Sequence, residues 1–415
     1  MKILHLSYHE NSGGAAIATN RIHKSLLKAN VDSLMYVQNK QSDSEKVFTS
    51  GSKIEIFLDK LNMFCQRKLH KFNANVNSQK ISKSYNILPT FKLKLIKKLN
   101  PDIVNLHWIG NNFINFKEIS KIEKPIVWTL HDMWPYCGSE HYSFNERYIN
   151  GYSKYNGSRR NKNFTFDFDK LVWLQKKKYL SFNLNFVATS KWQENNLKKS
   201  LLFKRSNSTI IHYPINSMEW KKKDKTISRV KLKLPVDKKI LLFISERIDN
   251  PIKGFDFLKN VISDKYFKNF FLIILGRKNR ELFNNLNIDF KFIEIINNKI
   301  ENLIEIYSAA DLLLAPSKIE SFGIVAQEAA CCSVPTVAFD KTGFEDTISH
   351  KQNGYIAKNS DVSDFLKGIK WCFEEENYNK ICKKGREIAE EKFNEKKIAH
   401  EYVSFYKNLV QKNKD

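Results

Sequence analysis

Two glutamates spaced eight residues apart, Glu320 and Glu328, have types and spacing that suggest chemistry. They lie where the pattern predicts a short buried strand, a loop and then a helix that begins at Gly323. The first N–H groups of a helix attract phosphate, and a glycine lets a ligand approach the backbone closely. The arrangement would suit a nucleoside diphosphate that carries a sugar, with hydroxyls held by the carboxylates. Spacing alone leaves an ordinary amphipathic helix with two solvated glutamates equally open.

Paired cations occur in another predicted loop of the same half of the chain. Arg247 and Lys253 follow the apolar run 240–245, which predicts a buried strand, and they precede Gly254. Guanidinium and ammonium groups both bind diphosphate oxygens. The two side chains are therefore predicted to reach a diphosphate, and Gly276, after the next apolar run, is predicted to lie near the nucleotide base.

Histidines end two predicted strands in the first half of the chain, at His107 and His131. Ligands of an open parallel sheet gather at the carboxyl ends of its strands, so both side chains are predicted to point toward one edge. A single histidine at a strand end is more often structural, but two at equivalent positions favour a functional role. Gly13 and Gly14, between the first strand and the first helix, place adaptable backbone at the same edge without the full G-x-G-x-x-G fingerprint.

The segment ESFGIVAQE from Glu320 to Glu328, with Pro316-Ser317 before it and VPTVAFD after it, resembles the E-x7-E signature of the family-4 retaining glycosyltransferases. The resemblance implies an α/β fold of GT-B architecture, in which two Rossmann-like doubly wound domains face a cleft and a C-terminal helix crosses back to the first domain. It also implies a metal-independent transfer of a sugar from a nucleotide-sugar donor, with retention of anomeric configuration.

The same resemblance implies a role for each residue that matches the family pattern. Four side chains would hold the transferred sugar or stabilise the leaving diphosphate: His131, Glu320, Lys253 and Arg247. A second group would bind the donor, with Glu328 on the ribose: Gly13, Gly14, Gly276, Phe322, Gly323, Ile324 and Glu328. Five residues separate the two cations, one more than in many relatives.

Residues 137–165 depart from the bacterial polysaccharide subgroup that the segment around Gly13 and Gly14 resembles. That subgroup carries a cysteine cluster here, whereas Cys137 is followed in this chain by Glu140, Asn145, Tyr152 and Tyr155. A structural zinc needs four soft ligands, so we predict no metal and no cofactor beyond the donor substrate. The D-x-D pair Asp167 and Asp169 is predicted to cap the following helix rather than to bind a metal.

Length and charge bound the class of protein. A chain of 415 residues is long enough for two domains, and its net charge is +25. Residues 1–215 hold 34 Lys and Arg against 15 Asp and Glu, which suits anionic lipid, a pyrophosphate substrate or nucleic acid. No nucleic-acid module accompanies this charge, so nucleic acid is not an expected partner. With no signal peptide and no apolar run of about 18 residues, we expect a cytoplasmic protein, peripheral on the inner face of the cell membrane.

A basic amphipathic helix is predicted over residues 53–72, with apolar side chains along one side and lysines around them. Such a helix can lie on an anionic bilayer, although packing against its own domain is the more frequent arrangement. The run 92–98 (KLKLIKK) is predicted to add to the same basic face.

Domain limits follow from these elements: 1–216, an N-terminal acceptor-binding Rossmann-like domain; 217–238, a linker; 239–385, a nucleotide-sugar-binding Rossmann-like domain; 386–415, a helix returning to the first domain. The leading hypothesis is sugar transfer to a growing, lipid-linked surface polysaccharide or oligosaccharide, with a nucleotide sugar, a glycan acceptor and an anionic membrane surface as partners. Two alternatives remain open. One is a non-hydrolysing sugar-nucleotide epimerase of the same architecture, and the other is a non-enzymatic basic module that binds membrane or nucleic acid.

Overall fold

The structure is a computed structural model that describes residues 1–50, 53–74, 81–153, 167–181, 184–277, 280–283, 286–294 and 299–412. The chain divides into two compact units, one formed by Met1–Tyr213 with Lys396–Asp415 and the other by Pro214–Glu395. Each unit is built around one parallel sheet. No helix in the described ranges is both long enough and apolar enough to cross a membrane.

The first unit contains a seven-stranded sheet in the order β3-β2-β1-β4-β5-β6-β7. Its strands are β1 Lys2–His9, β2 Asp32–Asn39, β3 Val47–Phe48, β4 Ile103–Leu106, β5 Ile126–Leu130, β6 Asn185–Ala188 and β7 Asn207–Ile210. Strands β4 and β5 are buried along their whole lengths, as expected for apolar runs covered on both faces. In register, Leu6 of β1 lies beside Leu106 of β4, which lies beside Trp128 of β5, so the carboxyl ends of these strands share one edge.

Within the described ranges of the first unit, these strands are connected by six helices: α1 Gly14–Lys28, α2 Lys53–Ala74, α3 Leu93–Leu99, α4 Phe116–Ile119, α5 Phe168–Tyr179 and α6 Lys191–Lys199. A 3-10 turn covers Arg147–Ile149. The Asp167 side chain accepts the Lys170 N–H at the start of α5, so the predicted capping role is confirmed. Asp169 instead forms an ion pair with Lys83 at 2.9 Å.

The second unit contains a six-stranded sheet in the order β10-β9-β8-β11-β12-β13. Its strands are β8 Lys239–Arg247, β9 Phe270–Arg277, β10 Asp289–Glu294, β11 Leu312–Ala315, β12 Thr336–Phe339 and β13 Gly354–Ala357. The order equals 3-2-1-4-5-6, which is the doubly wound order of nucleotide-binding sheets. The first unit has the same order with one further strand, so the predicted α/β fold with two Rossmann-like sheets is confirmed.

The helices of the second unit are α7 Lys225–Lys231, α8 Phe255–Ile262, α9 Ile300–Ala309, α10 Ile324–Cys331, α11 Phe344–Thr347, α12 Val362–Cys372 and α13 Glu375–Lys392. Short 3-10 segments cover Pro251–Lys253, Lys265–Asn269 and Arg280–Phe283. The helix predicted over 386–415 is divided, because α13 ends at Lys392 and a separate helix, α14, covers Glu395–Lys412. Helix α14 packs in the first unit, where the Tyr406 hydroxyl accepts the Asn105 side-chain N–H at 2.6 Å.

Residues 217–238, expected from the sequence to be a linker, lie in the second unit and include α7. Arg229 and Lys225 each donate to one carboxylate oxygen of Asp311 at 2.6 Å. Asp311 is buried and also accepts the Ile240 N–H at 2.7 Å. A lysine-rich segment looks exposed by composition, and only the fold shows that its cations pair with a buried carboxylate.

The basic run 92–98 is not uniformly exposed, which corrects the expectation that all of it adds to a basic face. Lys92 is buried, and its ammonium donates to Asp59 and Ser50 at 2.8 Å and to Gln38 at 3.0 Å. A buried ammonium must be paired in this way to avoid a large desolvation penalty. The exposed lysines of the run are Lys94, Lys97 and Lys98.

Candidate active site

The start of α10 needs glycine. Gly323 has φ 92°, in the left-handed region, and a Cβ atom at this position would overlap the ring of Phe344. The first N–H groups of the helix have no intrahelical acceptor, so the turn from Gly323 to Val325 is suited to an anion. Gly323 and Phe322 are buried, whereas Ile324 is half-buried.

An ion pair between Lys253 and Glu320 lies beside this turn, with Nζ and Oε2 2.7 Å apart. The side chains are 30% and 14% exposed, so the pair remains accessible to solvent. Lys253 ends the 3-10 segment after β8, and Glu320 lies in the loop after β11, which is the adjacent strand. The two loops are joined by the Lys318 N–H, which donates to the Ile252 carbonyl at 2.8 Å. The structure therefore brings together two side chains that the sequence placed at separate strand ends.

Arg247 and Gly276 lie in the same unit but have different surroundings. Arg247 ends β8 with a half-exposed side chain, 3.4 Å from Asp249. Within the described ranges, no hydrogen bond or ion pair joins it to Lys253 or Glu320. Gly276 is buried near the end of β9, and a Cβ atom there would overlap the Ser245 carbonyl of β8 and lie 2.7 Å from Ile248. Close packing against β8 thus accounts for a glycine at this position.

Glu328 lies on the buried side of α10. Its Oε2 accepts the Tyr307 hydroxyl at 2.9 Å, and the same hydroxyl lies 3.2 Å from the Val325 carbonyl. Tyr307 comes from α9 and is fully buried. The carboxylate is therefore oriented by a phenol that the sequence analysis did not single out.

Gly13 and Gly14 form the turn between β1 and α1 in the first unit. Gly13 has φ 84°, and its carbonyl accepts the Ile17 N–H at 3.0 Å as the helix begins. Gly14 is exposed. This turn leaves the sheet at the same edge as the residues that follow β4 and β5.

His107 and His131 meet at that edge, as the strand register predicts. His107 Nδ1 lies 2.9 Å from His131 Nε2, and His131 Nδ1 lies 2.6 Å from the Tyr213 hydroxyl. Burial lowers the pKa of His131 to about 4, although the neighbouring Asp132 acts in the opposite direction. His131 is therefore a neutral imidazole at physiological pH.

Sequence reasoning missed His5 and Tyr213. His5 Nδ1 lies 2.8 Å from His107 Nε2, within the sheet interior. The available signal was a polar residue inside the apolar run of the first strand, where a buried side chain needs a partner. Tyr213 precedes Pro214 after β7, and no spacing rule relates it to His131.

Asp132 belongs to a closed polar cluster rather than to an exposed edge. Its Oδ2 lies 2.6 Å from His141 Nδ1 and 3.0 Å from the Trp108 indole nitrogen. His141 Nε2 lies 2.8 Å from Ser84 Oγ, which gives the Ser–His–Asp order of a nucleophilic triad. Ser84 is fully buried and already accepts the Asn111 N–H at 3.1 Å, so the cluster holds loops together.

The described part of residues 137–165 is held by buried polar groups. The Lys176 ammonium donates to the carbonyls of Trp134, Cys137 and Gly138, which matches its three donors. Burial lowers the pKa of Lys176 to about 7 and raises the pKa of Glu140 to about 8. Tyr155 and the rest of 154–166 lie outside the described residues.

Where the structure describes the chain, no group of three or more His, Cys, Asp or Glu side chains is placed to hold a metal ion. The predicted absence of a metal and of a cofactor stays a prediction.

A family model described as glycosyl transferases group 1 matches residues 224–389. An uncharacterized 41.2 kDa protein in the cps region of Klebsiella pneumoniae is 21% identical over 98% of this chain and 100% of its own length. N-acetyl-alpha-D-glucosaminyl L-malate synthase of Bacillus anthracis is 25% identical over 205 residues, and the match spans 47% of this chain and about half, 52%, of that enzyme.

Solved structures share the fold over nearly the whole chain. Sucrose-phosphate synthase from Thermosynechococcus elongatus superposes with a TM-score of 0.68 at 17% identity, covering 99% of this chain and 100% of the other. WaaG, a glycosyltransferase involved in lipopolysaccharide biosynthesis, gives 0.66 at 14% identity, with coverages of 97% and 99%. Anabaena HepE in complex with UDP and glucose gives 0.62 at 16% identity, with coverages of 98% and 100%. The predicted resemblance and the predicted GT-B fold are confirmed: residues 224–389 match the model of the group 1 glycosyl transferases, and glycosyltransferase structures share the fold of nearly the whole chain.

Proposed function

We propose that this protein transfers a sugar from a nucleotide-sugar donor to a growing surface polysaccharide or oligosaccharide, with retention of configuration and without a metal. The observation that carries the proposal is the Lys253–Glu320 pair beside the glycine start of α10. The group 1 family supports the reaction class. A relative from a cps region and a fold shared with WaaG support the polysaccharide acceptor, and the fold shared with a UDP complex supports the donor class.

The charge arrangement explains how a donor would bind. Without ligand, the Lys253 ammonium is neutralised by Glu320 at 2.7 Å. A diphosphate that takes the place of the carboxylate gives Lys253 a new anionic partner and leaves Glu320 to accept hydrogen bonds from sugar hydroxyls. The N–H groups of the turn at Gly323 and Ile324 add to the same anion site. As negative charge grows on the leaving diphosphate, these groups stabilise it without reorganising.

The remaining predicted residues take secondary roles in this proposal. Glu328, oriented by Tyr307, would accept hydrogen bonds from the ribose hydroxyls, and Arg247 would contact the diphosphate from its half-exposed position. In the first unit, His131 would orient a hydroxyl of the transferred sugar as a neutral imidazole. Gly13 and Gly14 would let acceptor or donor phosphate approach the backbone.

The donor site can be tested by titrating the full chain with free nucleoside diphosphates and with nucleotide sugars, using calorimetry in EDTA. We expect binding of at least one nucleoside diphosphate that is unchanged by the chelator. A chain that binds no nucleoside diphosphate and no nucleotide sugar would contradict the proposal. Incubation with donor alone checks the reaction class, because formation of an epimer would identify an epimerase instead.

We also propose that the acceptor is lipid-linked and that the exposed side of α2 contacts an anionic membrane. Among the residues of this helix whose burial is described, four apolar ones are 41% to 64% exposed: Ile56, Phe57, Leu61 and Phe64. Lys60, Arg67 and Lys68 are exposed among them, and the Lys68 ammonium lies 5.4 Å from the Phe64 ring centroid. Interleaved apolar and basic side chains favour the interface of an acidic bilayer.

The opposite side of α2 packs on the first unit, which is the other arrangement that the sequence left open. Asn62 and Gln66 are buried, Asp59 pairs with Lys92 and Met63 lies 3.1 Å from the Tyr8 hydroxyl. Helical spacing places the acidic Asp59 on this packed side. The exposed side therefore keeps its positive charge.

Liposome co-sedimentation tests the membrane contact. Replacing Phe57 and Phe64 by serine should lower binding to vesicles with acidic lipid, and added salt should lower it further. Met218→Ser removes an exposed apolar side chain from the second unit and should leave binding unchanged. Equal binding to neutral and acidic vesicles would exclude this contact.

A further inference from the structure

Three buried imidazoles form one hydrogen-bonded row in the first unit. His5 Nδ1 lies 2.8 Å from His107 Nε2, and His107 Nδ1 lies 2.9 Å from His131 Nε2. The row continues from His131 Nδ1 to the Tyr213 hydroxyl at 2.6 Å. Its members come from β1 and from the ends of the neighbouring strands β4 and β5, so the row crosses the centre of the sheet.

The row is made of neutral rings. Burial lowers the pKa of His107 and His5 well below the usual value, and His131 titrates only near a pKa of about 4. A neutral imidazole carries one N–H and one acceptor nitrogen. Each nitrogen–nitrogen contact then holds one hydrogen only if all three rings have the same tautomer. Any mixture would place two N–H groups or two lone pairs face to face.

The closed end of the row selects between the two uniform tautomers. His5 Nε2 is buried, and among the described residues it has no hydrogen-bond partner. If the hydrogens were on the Nε2 atoms, this end would bury an unpaired N–H, a group that is rarely left without an acceptor. With the hydrogens on Nδ1, His5 Nε2 is an unpaired acceptor, and every other ring nitrogen of the row is satisfied.

We propose that His5 and His107 are positioning residues for His131: the row fixes His131 with its hydrogen on Nδ1, donated to Tyr213, and holds the plane of the ring. This rests on the proposed role of His131 toward the transferred sugar. His131 is the most exposed residue of the three, at 9%, while His5 at 0% and His107 at 2% are closed to any ligand. His5 and His107 can therefore act only through His131.

The hydrogen-bond directions follow from this tautomer. His107 Nδ1–H donates to His131 Nε2, and His131 Nδ1–H donates to the Tyr213 oxygen. Thr19 Oγ1, which lies 3.4 Å from His131 Nε2, donates its hydrogen to the Ala15 carbonyl at 2.8 Å. These two contacts occupy both ring nitrogens of His131. A sugar hydroxyl that binds at His131 therefore takes the place of the Tyr213 oxygen and accepts from an Nδ1–H whose position the row has fixed.

Nitrogen-15 NMR of the full chain with labelled histidine rings reads the tautomers directly and needs no activity. With ten histidines in the sequence, single substitutions assign the row signals. We expect His5, His107 and His131 all to carry hydrogen on Nδ1 at pH 7. Hydrogen on Nε2 of any of the three would overturn the proposal.

Substitutions at His107 test the positioning role. His107→Leu removes the donor to His131 Nε2, and we expect a mixed His131 tautomer with a loss in kcat/KM of about 10- to 100-fold, by analogy with residues that orient metal-bound imidazoles. His107→Asn places an amide near the former Nδ1 and should restore transfer to within about threefold and the Nδ1–H signal with it. A His107→Leu protein with the wild-type tautomer and wild-type kcat/KM would also overturn the proposal.

His23→Asn is the matched control. His23 is a buried histidine of α1, 2.7 Å from Ser33 Oγ and outside the row, so its substitution should leave the row signals and kcat/KM unchanged. If His107→Leu does not fold, the tautomers in the wild-type spectrum and the activity of His107→Asn still test the positioning role. A His131→Ala enzyme with normal transfer would remove the role of His131, whereas the tautomers would still be judged by the spectrum.

Discussion

The two units have sheets of the same strand order, but the carboxyl ends of their central strands present opposite chemistry. In the second unit, the ends of β8 and β11 are followed by a charged and partly exposed pair, Lys253 and Glu320. In the first unit, β4 and β5 are followed by buried, neutral imidazoles, His107 and His131. One backbone arrangement thus supports an ionic site and a non-ionic one.

Burial explains why the two sites use different residue types. A buried lysine or carboxylate must be paired, whereas a histidine can give up its charge and still offer a directed donor and acceptor. An exposed ion pair can exchange one anion for another, which suits a diphosphate. A buried neutral row cannot attract charge but can hold direction, which suits the hydroxyls of a sugar.

The largest effect should come from removing the charge of the ionic site. Lys253→Ala removes the ammonium that would stabilise the departing diphosphate, and we expect kcat/KM to fall by about 10³-fold with the fold intact. Steady-state transfer assays measure the change in kcat/KM, and circular dichroism checks the fold.

Glu320→Ala should likewise abolish transfer while preserving the fold.

Lys259→Ala provides the matched control for the charge change. Lys259 lies on α8 in the same unit and pairs with the exposed Asp256 at 3.0 Å, so its loss should leave kcat/KM within about twofold of wild type. Near-normal transfer by Lys253→Ala would remove the ionic site from the mechanism. An equal loss in both variants would show a general charge effect instead.

Asp311, a buried carboxylate of the second unit, should contribute strongly to the stability of that unit but not to its chemistry. Asp311→Ala leaves Arg229 buried without its anion and removes the partner of the Ile240 N–H, so unfolding should become easier by about 3–5 kcal/mol. Denaturant unfolding measures the change. The control Asp289→Ala removes an exposed carboxylate paired with Lys238 and should change the free energy of unfolding by less than about 0.5 kcal/mol. Similar losses in the free energy of unfolding for both variants would contradict the stabilising role of the buried Asp311.

Backbone strain at the ionic site gives a smaller effect. Gly323→Ala forces a side chain into φ 92° and against Phe344, so we expect a loss of about 1–3 kcal/mol in the free energy of unfolding and weaker nucleotide binding. Gly385 lies inside α13, where a Cβ atom would have its nearest neighbour at 3.6 Å. Gly385→Ala should therefore stabilise the protein by about 0.5–1 kcal/mol. Thermal unfolding with and without nucleoside diphosphate compares the stability and the nucleotide binding of the two variants. A Gly323→Ala protein with wild-type stability and binding would exclude the proposed requirement for glycine.

The ionic site was largely predictable from the sequence because its parts are local. Each of Lys253, Glu320 and Gly323 follows an apolar run within about ten residues, and the parallel strand order brings these strand ends to one edge. Their contact at 2.7 Å required the adjacent positions of β8 and β11, which the family resemblance implied.

The neutral row was only half predictable. The ends of strands identified His107 and His131, but His5 lies inside β1 and Tyr213 is far away in sequence. The burial of Lys92 could not be predicted from the sequence either, because Lys92 and Lys94 lie in the same basic run and differ only in the direction of their side chains, which depends on tertiary packing. The side of α2 that packs was also set by partners such as Lys92 rather than by the apolar pattern.

As pH falls, the first unit should lose stability at a higher pH than the second, because the buried groups of the two units titrate in different pH ranges. In the first unit, His131 and His23 each have a pKa near 4, below the usual 6.5, because burial disfavours their charged forms. Unfolding therefore takes up protons between pH 6.5 and 4, and each such histidine lowers the free energy of unfolding by up to about 1.4 kcal/mol per pH unit as pH falls through that window. Glu140, whose pKa is raised to about 8 by burial, releases a proton on unfolding in the same window and offsets one of them.

In the second unit, the corresponding group is a carboxylate. Glu305 is buried, but hydrogen bonds from Lys231, Lys223 and Ser228 outweigh its desolvation and lower its pKa to about 2. Its contribution is complete above pH 4.5 and is lost only as pH falls from 4.5 toward 2. Short pulses of hydrogen exchange at one fixed pH, after incubation of the full chain across pH 7 to 3, should show peptides of Met1–Tyr213 losing protection before those of Pro214–Glu395. Replacing His23 by asparagine should reduce the early loss, and simultaneous loss in both units would show that their stabilities are coupled rather than set by these separate buried groups.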